Sequence, residues 1–257
     1  MGIRQWVLKG LQTGVVTTPY PAAEETASGV SPGVPCAAGQ MSESEGARLV
    51  EICPTGAIES ESGEVRVDLR RCVHCFRCRW ESEVHVGWER TYEWAQFTPT
   101  GKSHALPKGF SKSLHIRVVD AGDCGACLSE VKQLNNPYYN MHRLGFFFTP
   151  TPRNADILLV VGPVTDQLRR PLLETFEAMP TPKLVLAVGA CALSGGAFGP
   201  SIFSGSGVGD LLPVGVEVPG APPPPLAILH GLLVAAGRKD PALGTAPSPG
   251  WVEKKAG

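Results

Sequence analysis

The chain has 257 residues, enough for one large or two modest domains, with 18% charged residues and a formal net charge of −1. That near balance, without a basic stripe, argues against nucleic acid as a partner. The longest apolar runs, 157–164, 184–193 and 226–236, are too short and too interrupted for a spanning helix, so any membrane association is expected to be indirect.

The 30 glycines and 24 prolines predict many turns and an extensive protein-facing surface. Eight cysteines, with no secretory leader read ahead of them, predict a reducing compartment and cofactor ligation. In chain order, residues 6–11 make a short amphipathic start, and residues 21–42, rich in Pro, Ala, Gly and Ser, read as an extended arm. Residues 44–53 read as a short helix running into Cys53-Pro54, and 64–67 alternate as a strand leading to a cysteine loop.

That loop carries Cys72, Cys75 and Cys78 at C-x2-C-x2-C spacing, so three thiols wrap one face of a small cluster. Cys53, followed by Pro54, brings a fourth from a distant turn. In two-cluster bacterial ferredoxins a Cys-Pro thiol ligates the cluster whose other three ligands lie in the other run. Here the run expected ahead of Cys53 has no cysteine at the expected places, and no Cys-Pro follows Cys78. The losses are complementary, so the expectation is one 4Fe–4S cluster on Cys53, Cys72, Cys75 and Cys78. Zinc is the weaker reading, because zinc sites use paired C-x2-C knuckles rather than a triple run plus Cys-Pro. Disulfides are weaker still, since this spacing is poor disulfide geometry within one loop.

Trp80, Trp88, Tyr92, Trp94 and Phe97 concentrate aromatic surface in 79–100, as at a domain junction or in a plain core. Residues 99–112 read as a linker. Beyond it, 114–119 and 183–188 read as strands, and 155–162 as a buried strand ending in glycine. Thr165 or Asp166 is expected to cap a helix through Met179 with Leu168, Leu172, Leu173 and Phe176 on one face. Strands alternating with helices predict a parallel sheet, which binds ligands at strand carboxyl ends. Cys124, Cys127 and Cys191 all fall just past strand ends and are expected to share a site.

Residues 120–237 resemble the small subunit of group 4 (energy-converting) NiFe-hydrogenases, homologous to the B subunit of respiratory complex I. The resemblance is carried by Cys124-Gly125-Ala126-Cys127, by PRNADILLVVGPVT at 152–165, by GACALSGG at 189–196 and by VPGAPP at 218–223. The C-x2-C spacing is the hydrogenase type. Residues 1–98, including the opening 13–21, resemble the ferredoxin subunit of the same complexes. The resemblance implies a fusion of a small α+β ferredoxin-like domain at 1–98 with a flavodoxin-like parallel-sheet α/β domain at 113–238; composition sets the linker at 99–112 between them and a flexible tail, rich in Pro, Gly, Ala and Lys, at 239–257. It also implies a catalytic large-subunit partner, membrane subunits beyond it, and a position peripheral to the cytoplasmic face of the membrane.

One departure matters. The family's fourth ligand is a cysteine in Gly-Cys-Pro-Pro, and this chain has Ala221 there. Three outcomes stay open: a 4Fe–4S cluster with water, a partner residue or a carboxylate such as Asp123 or Glu130 on the fourth iron; a 3Fe–4S cluster on three cysteines; or a site kept only for assembly. Some cluster is expected. Cys36 reads as a remnant or a small buried hydrophobe rather than a ligand. His74 reads as a neighbour of the cluster rather than a ligand, His115 and His230 as structural, and His142, Arg143 and Arg153 as lying near the second site.

The expected function is iron–sulfur electron transfer between a ferredoxin-type cluster and a proximal site facing a large subunit, as part of an oxidoreductase rather than as a catalyst alone. The alternative is a scaffold that has lost the proximal cluster and keeps only the first one. No nucleotide fingerprint opens a helix after a strand, so no flavin or nicotinamide site is expected.

Overall fold

The computed structural model describes residues 3–37, 41–81, 86–98 and 105–242. The expected linker and tail therefore lie partly outside the described residues.

In the N-terminal half, helix α1 (Ile3–Thr13) and strand β1 (Val34–Ala37) precede helix α2 (Glu43–Ile52). A capping box starts α2: the Ser42 hydroxyl accepts from the Glu45 amide, and the Glu45 carboxylate accepts from the Ser42 amide. Strands β2 (Ile58–Glu61) and β3 (Glu64–Val67) form an antiparallel hairpin. Its turn residues Ser62 and Gly63 both have positive φ, 52° and 80°, matching the twist that two-residue hairpins favour. Helix α3 (Arg77–Glu81) and strand β4 (Val86–Glu89) follow, with β4 antiparallel to β1. Met41, Leu49, Ile58, Val65 and Val86 fill a small core beneath these elements.

Strand β5 (Gln96–Phe97) is the crossing point between the halves. In the C-terminal half come β6 (Leu114–Asp120), α4 (Ala126–Gln133), β7 (Phe146–Phe148), β8 (Ile157–Val161) and α5 (Asp166–Glu177). They are followed by β9 (Leu184–Val188), α6 (Ala190–Ser194), β10 (Val214–Val218) and α7 (Pro225–Ala235). Among the described residues six strands form one sheet in the order β5-β10-β9-β8-β6-β7. It is parallel except at its edge, where β5 runs antiparallel to β10. Every residue of β8 and β9 is buried, which is why these strands read as unbroken apolar runs. On α5, Leu172 is buried and Leu168, Leu173 and Phe176 are half-buried, as the helical spacing predicts, and Thr165 is the N-cap.

Helix α7 is apolar apart from His230, and each of its residues is buried. Such a helix needs cover on every side. The sheet supplies one side; Tyr20, Val34, Tyr92, Trp94, Ala95 and Leu106 join it in the same core. His230, in the middle of α7, accepts from the Ala95 amide at Nδ1 (3.1 Å), so Nε2 carries the proton toward the Asp240 carbonyl (3.1 Å). Burial lowers its pKa, consistent with a neutral, structural imidazole. No helix among the described residues is long and apolar enough to cross a membrane.

Candidate functional site

Cys53, Cys72, Cys75 and Cys78 line a single cavity together with Ile58, Phe76 and Trp88. Cys53 is the C-cap of α2, and its sulfur accepts from the Ala57 amide at 3.2 Å. The intervening residues His74 and Phe76 adopt positive φ, 50° and 60°, in the region that L side chains avoid. Aromatic packing holds them there. Phe76 stacks on Trp88 at 4.1 Å between centroids, and His74 packs edge-on against Trp88 and Trp94. Burial drives the His74 pKa down to about 4, so the ring is neutral near pH 7. Burial pushes Cys72 up to about 12, with the other three thiols adding to the rise and the His74 amide opposing it. Cys78 is raised by burial in the same way. A bound cation would favour the thiolate form of Cys72 and Cys78 against this rise. The donor set, three partly buried thiols and the exposed Cys75 with an amide directed at sulfur, fits a cluster held by four thiolates. Among the described residues no three His, Cys, Asp or Glu side chains converge as they would on one metal ion; a multi-iron cluster sets its thiolates further apart than one ion does.

The second group follows three strands of the large sheet, β6, β9 and β10, with β8 lying between β6 and β9. Cys124 lies in the loop after β6, Cys127 in the first turn of α4, Cys191 in α6 directly after β9, and Ala221 just past β10. All four positions are at carboxyl ends of parallel strands. The Ala190 amide donates to the Gly220 carbonyl at 2.7 Å, which holds the loop bearing Ala221 against the loop bearing Cys191. Gly189, with φ of 93°, lets this join form: a Cβ there would lie 2.5 Å from the Cys127 sulfur. Burial raises Cys127, with the Asp123 charge next and Cys191 and Cys124 following. Cys191 is likewise raised, by burial first and then by Cys124 and Asp123. The Cys127 sulfur thus lies against the join between the loops bearing Cys191 and Ala221, and Asp123 directly precedes Cys124.

His142, Arg143 and Arg153 are not part of this group, contrary to expectation. Each precedes the parallel strand it feeds, β7 or β8, and so sits at the amino ends of the strands, opposite the cysteines. His142 stacks on Phe147, and Arg143 donates to the Tyr20 carbonyl. The Cys36 sulfur sits over Gly87, outside the four-thiol cavity. A larger cavity, about 540 Å³, is lined by Arg70, Lys183, Leu193, Asp210 and Glu217 and contains no thiol, so size alone does not mark the chemistry.

Sequence reasoning missed the contacts that bring the two thiol groups together. The Ser194 hydroxyl, three residues past Cys191, donates to the Arg70 carbonyl at 3.0 Å, two residues before Cys72. The Trp94 indole N–H donates to the Pro219 carbonyl at 2.6 Å, and the same ring meets His74. Arg70 also pairs at 3.1 Å with Glu217, a carboxylate only 1% exposed.

The family described as NADH ubiquinone oxidoreductase, 20 Kd subunit, matches residues 124–235. An uncharacterised protein of Methanocaldococcus jannaschii is 43% identical over 125 residues, covering 49% of this chain and 84% of that one. The probable membrane-bound hydrogenase subunit mbhJ of Pyrococcus furiosus is 41% identical over 130 residues, covering 51% and 78%. Formate hydrogenlyase subunit 7 of Escherichia coli is 38% identical over 133 residues, covering 52% of each chain. A chain of the membrane-bound sulfane sulfur reductase, an archaeal respiratory membrane complex, is 30% identical, covers 52% of this chain and 76% of its own, and superposes with a TM-score of 0.44. With these relatives and that match, the chain belongs to the NADH ubiquinone oxidoreductase 20 Kd subunit family.

Proposed function

We propose that this chain is an iron–sulfur electron-transfer subunit of a complex I- or hydrogenase-type assembly. Cys53, Cys72, Cys75 and Cys78 would hold a ferredoxin-type 4Fe–4S cluster in an N-terminal module, 1–98, and Cys124, Cys127 and Cys191 a second cluster in a flavodoxin-like domain, 113–238. Such clusters supply one-electron transfer when bound. The chain's own contribution is to hold the thiolates, aim amides at sulfur and exclude water with Phe76 and Trp88.

The observation that carries the reading is the pair of contacts between the two thiol loops, Ser194 to Arg70 and Trp94 to Pro219. Relaying electrons needs two centres at a fixed separation, and these hydrogen bonds fix one loop against the other. Phe198, Ile202 and Phe203 stand exposed in the loop after Cys191, an apolar face suited to a large-subunit partner. Membrane-bound relatives support a peripheral position reached through partner subunits, at the cytoplasmic face.

Ala221 favours a second reading, a scaffold that keeps only the first cluster. Low-temperature EPR on anaerobically purified protein separates the two. Under the relay reading, Cys53→Ala and Cys191→Ala abolish different signals. Under the scaffold reading, Cys191→Ala changes nothing.

A further inference from the structure

Position 221 presents a methyl group where the family resemblance puts the fourth donor, and one carboxylate oxygen beside Cys124 has no hydrogen-bond partner. Asp123 Oδ1 is buried and has no hydrogen-bond partner. A buried carboxylate oxygen in that state is costly, and it marks a place where an ion or metal belongs. Its partner atom is fully occupied: Oδ2 accepts from the Gly125 amide at 2.9 Å and the Leu128 amide at 3.1 Å. Those two bonds fix the carboxylate plane and leave Oδ1 as the atom turned elsewhere. The loop beneath is strapped as well, because Asp120 Oδ1 accepts from the amides of Gly122 and Asp123 at 2.9 and 2.7 Å. The Oδ2 bonds also seat the carboxylate on the first turn of α4, which carries Cys127, and Asp123 directly precedes Cys124. Glu130, the other carboxylate of this region, acts on Tyr139 instead.

We propose that Asp123 Oδ1 is the fourth protein ligand of a 4Fe–4S cluster held by Cys124, Cys127 and Cys191, standing in for the thiolate that Ala221 does not supply. The proposal rests on the relay reading and deepens it. Asp123 ligates as the carboxylate, while each thiol releases its proton to solvent as iron binds. A carboxylate is a harder, weaker iron donor than a thiolate. The iron it holds is the one most readily lost, and the centre has a higher reduction potential than an all-thiolate one.

The test compares the full chain with Asp123→Asn, Ala221→Cys and the double variant, all purified without oxygen. Iron and sulfide are counted and low-temperature EPR is recorded. The proposal expects about eight irons per chain in the unaltered protein. It expects about one iron fewer in Asp123→Asn, with the signal of an oxidised 3Fe–4S centre. The double variant regains the lost iron, because the new thiolate replaces the missing carboxylate. An unaltered count and spectrum in Asp123→Asn overturns the ligand assignment and leaves the relay reading standing, as does a native 3Fe–4S centre with about seven irons. About four irons in the unaltered chain, with only one signal, overturns the relay reading itself. Should Asp123→Asn fail to fold, Asp123→Glu decides. An altered potential or EPR spectrum at the second centre supports the assignment, and an unchanged potential and spectrum overturns it.

Discussion

The indole N–H of Trp94 donates to the carbonyl of Pro219 at 2.6 Å, so a residue of the N-terminal half holds the turn that carries Ala221. The same ring packs against His74, between Cys72 and Cys75. Replacing Trp94 with Phe keeps a ring in the core and removes the donor. The expected loss is about 1 kcal/mol of stability, whereas Trp94→Ala costs about 3–5 kcal/mol through lost packing. Denaturant titration of both variants checks the difference, and an Ala variant as stable as the Phe variant contradicts it.

His230 sets part of the acid limit of the fold. Burial lowers its folded pKa below the unfolded value, while the Glu93 charge and the Asp240 carbonyl act to raise it and Lys239 acts to lower it. A depressed folded value means the unfolded chain binds the extra proton, so its contribution is intact above roughly pH 6.5 and declines as pH falls through that value toward the folded one. His230→Leu is expected to flatten this slope while costing about 1–3 kcal/mol at neutral pH, because the Ala95 amide loses its acceptor. Unfolding midpoints measured from pH 8 to pH 5 report both effects.

Gly189→Ala is expected to damage the second thiol group and spare the first. The added methyl meets the Cys127 sulfur, and φ of 93° is strained for alanine. Iron content is expected to fall by about four per chain, with the signal of the Cys53 group unchanged. Equal loss of both signals would instead point to global unfolding.

Cys36→Ser separates a cysteine by type from a cysteine by position. Its sulfur packs over Gly87 on the β1–β4 pair and is absent from the lining of the four-thiol cavity. Iron content and EPR are expected to stay as they are, while Cys53→Ser removes about four irons. A drop in iron in the Cys36 variant would place that thiol at a centre.

The strands and helix of the central fold were legible because their signal is local. The apolar runs of β8 and β9, and the spacing of Leu168, Leu172, Leu173 and Phe176 on α5, need no knowledge of the rest of the chain. The proposed cysteines were legible through spacing within one loop and through their places after strands. What escaped was non-local. Strand β5 has two residues, too few for any periodicity, and its role depends on β10 being about 120 residues away. The Ser194–Arg70 and Arg70–Glu217 contacts have no sequence signature. The orphaned Asp123 oxygen became visible only once its sister atom's two partners were known. Arg153 and His142 were misplaced because proximity in sequence says nothing about which end of a parallel strand a residue occupies.

Tyr92, Trp94 and Ala95 lie over a helix with no polar side to show to water. Neither half is therefore an independent lodger. Residues 1–98 and 105–257 produced as two chains would stay associated through gel filtration, and the C-terminal half made alone would aggregate unless something else roofed α7. The N-terminal half is thereby a structural cover for the C-terminal one.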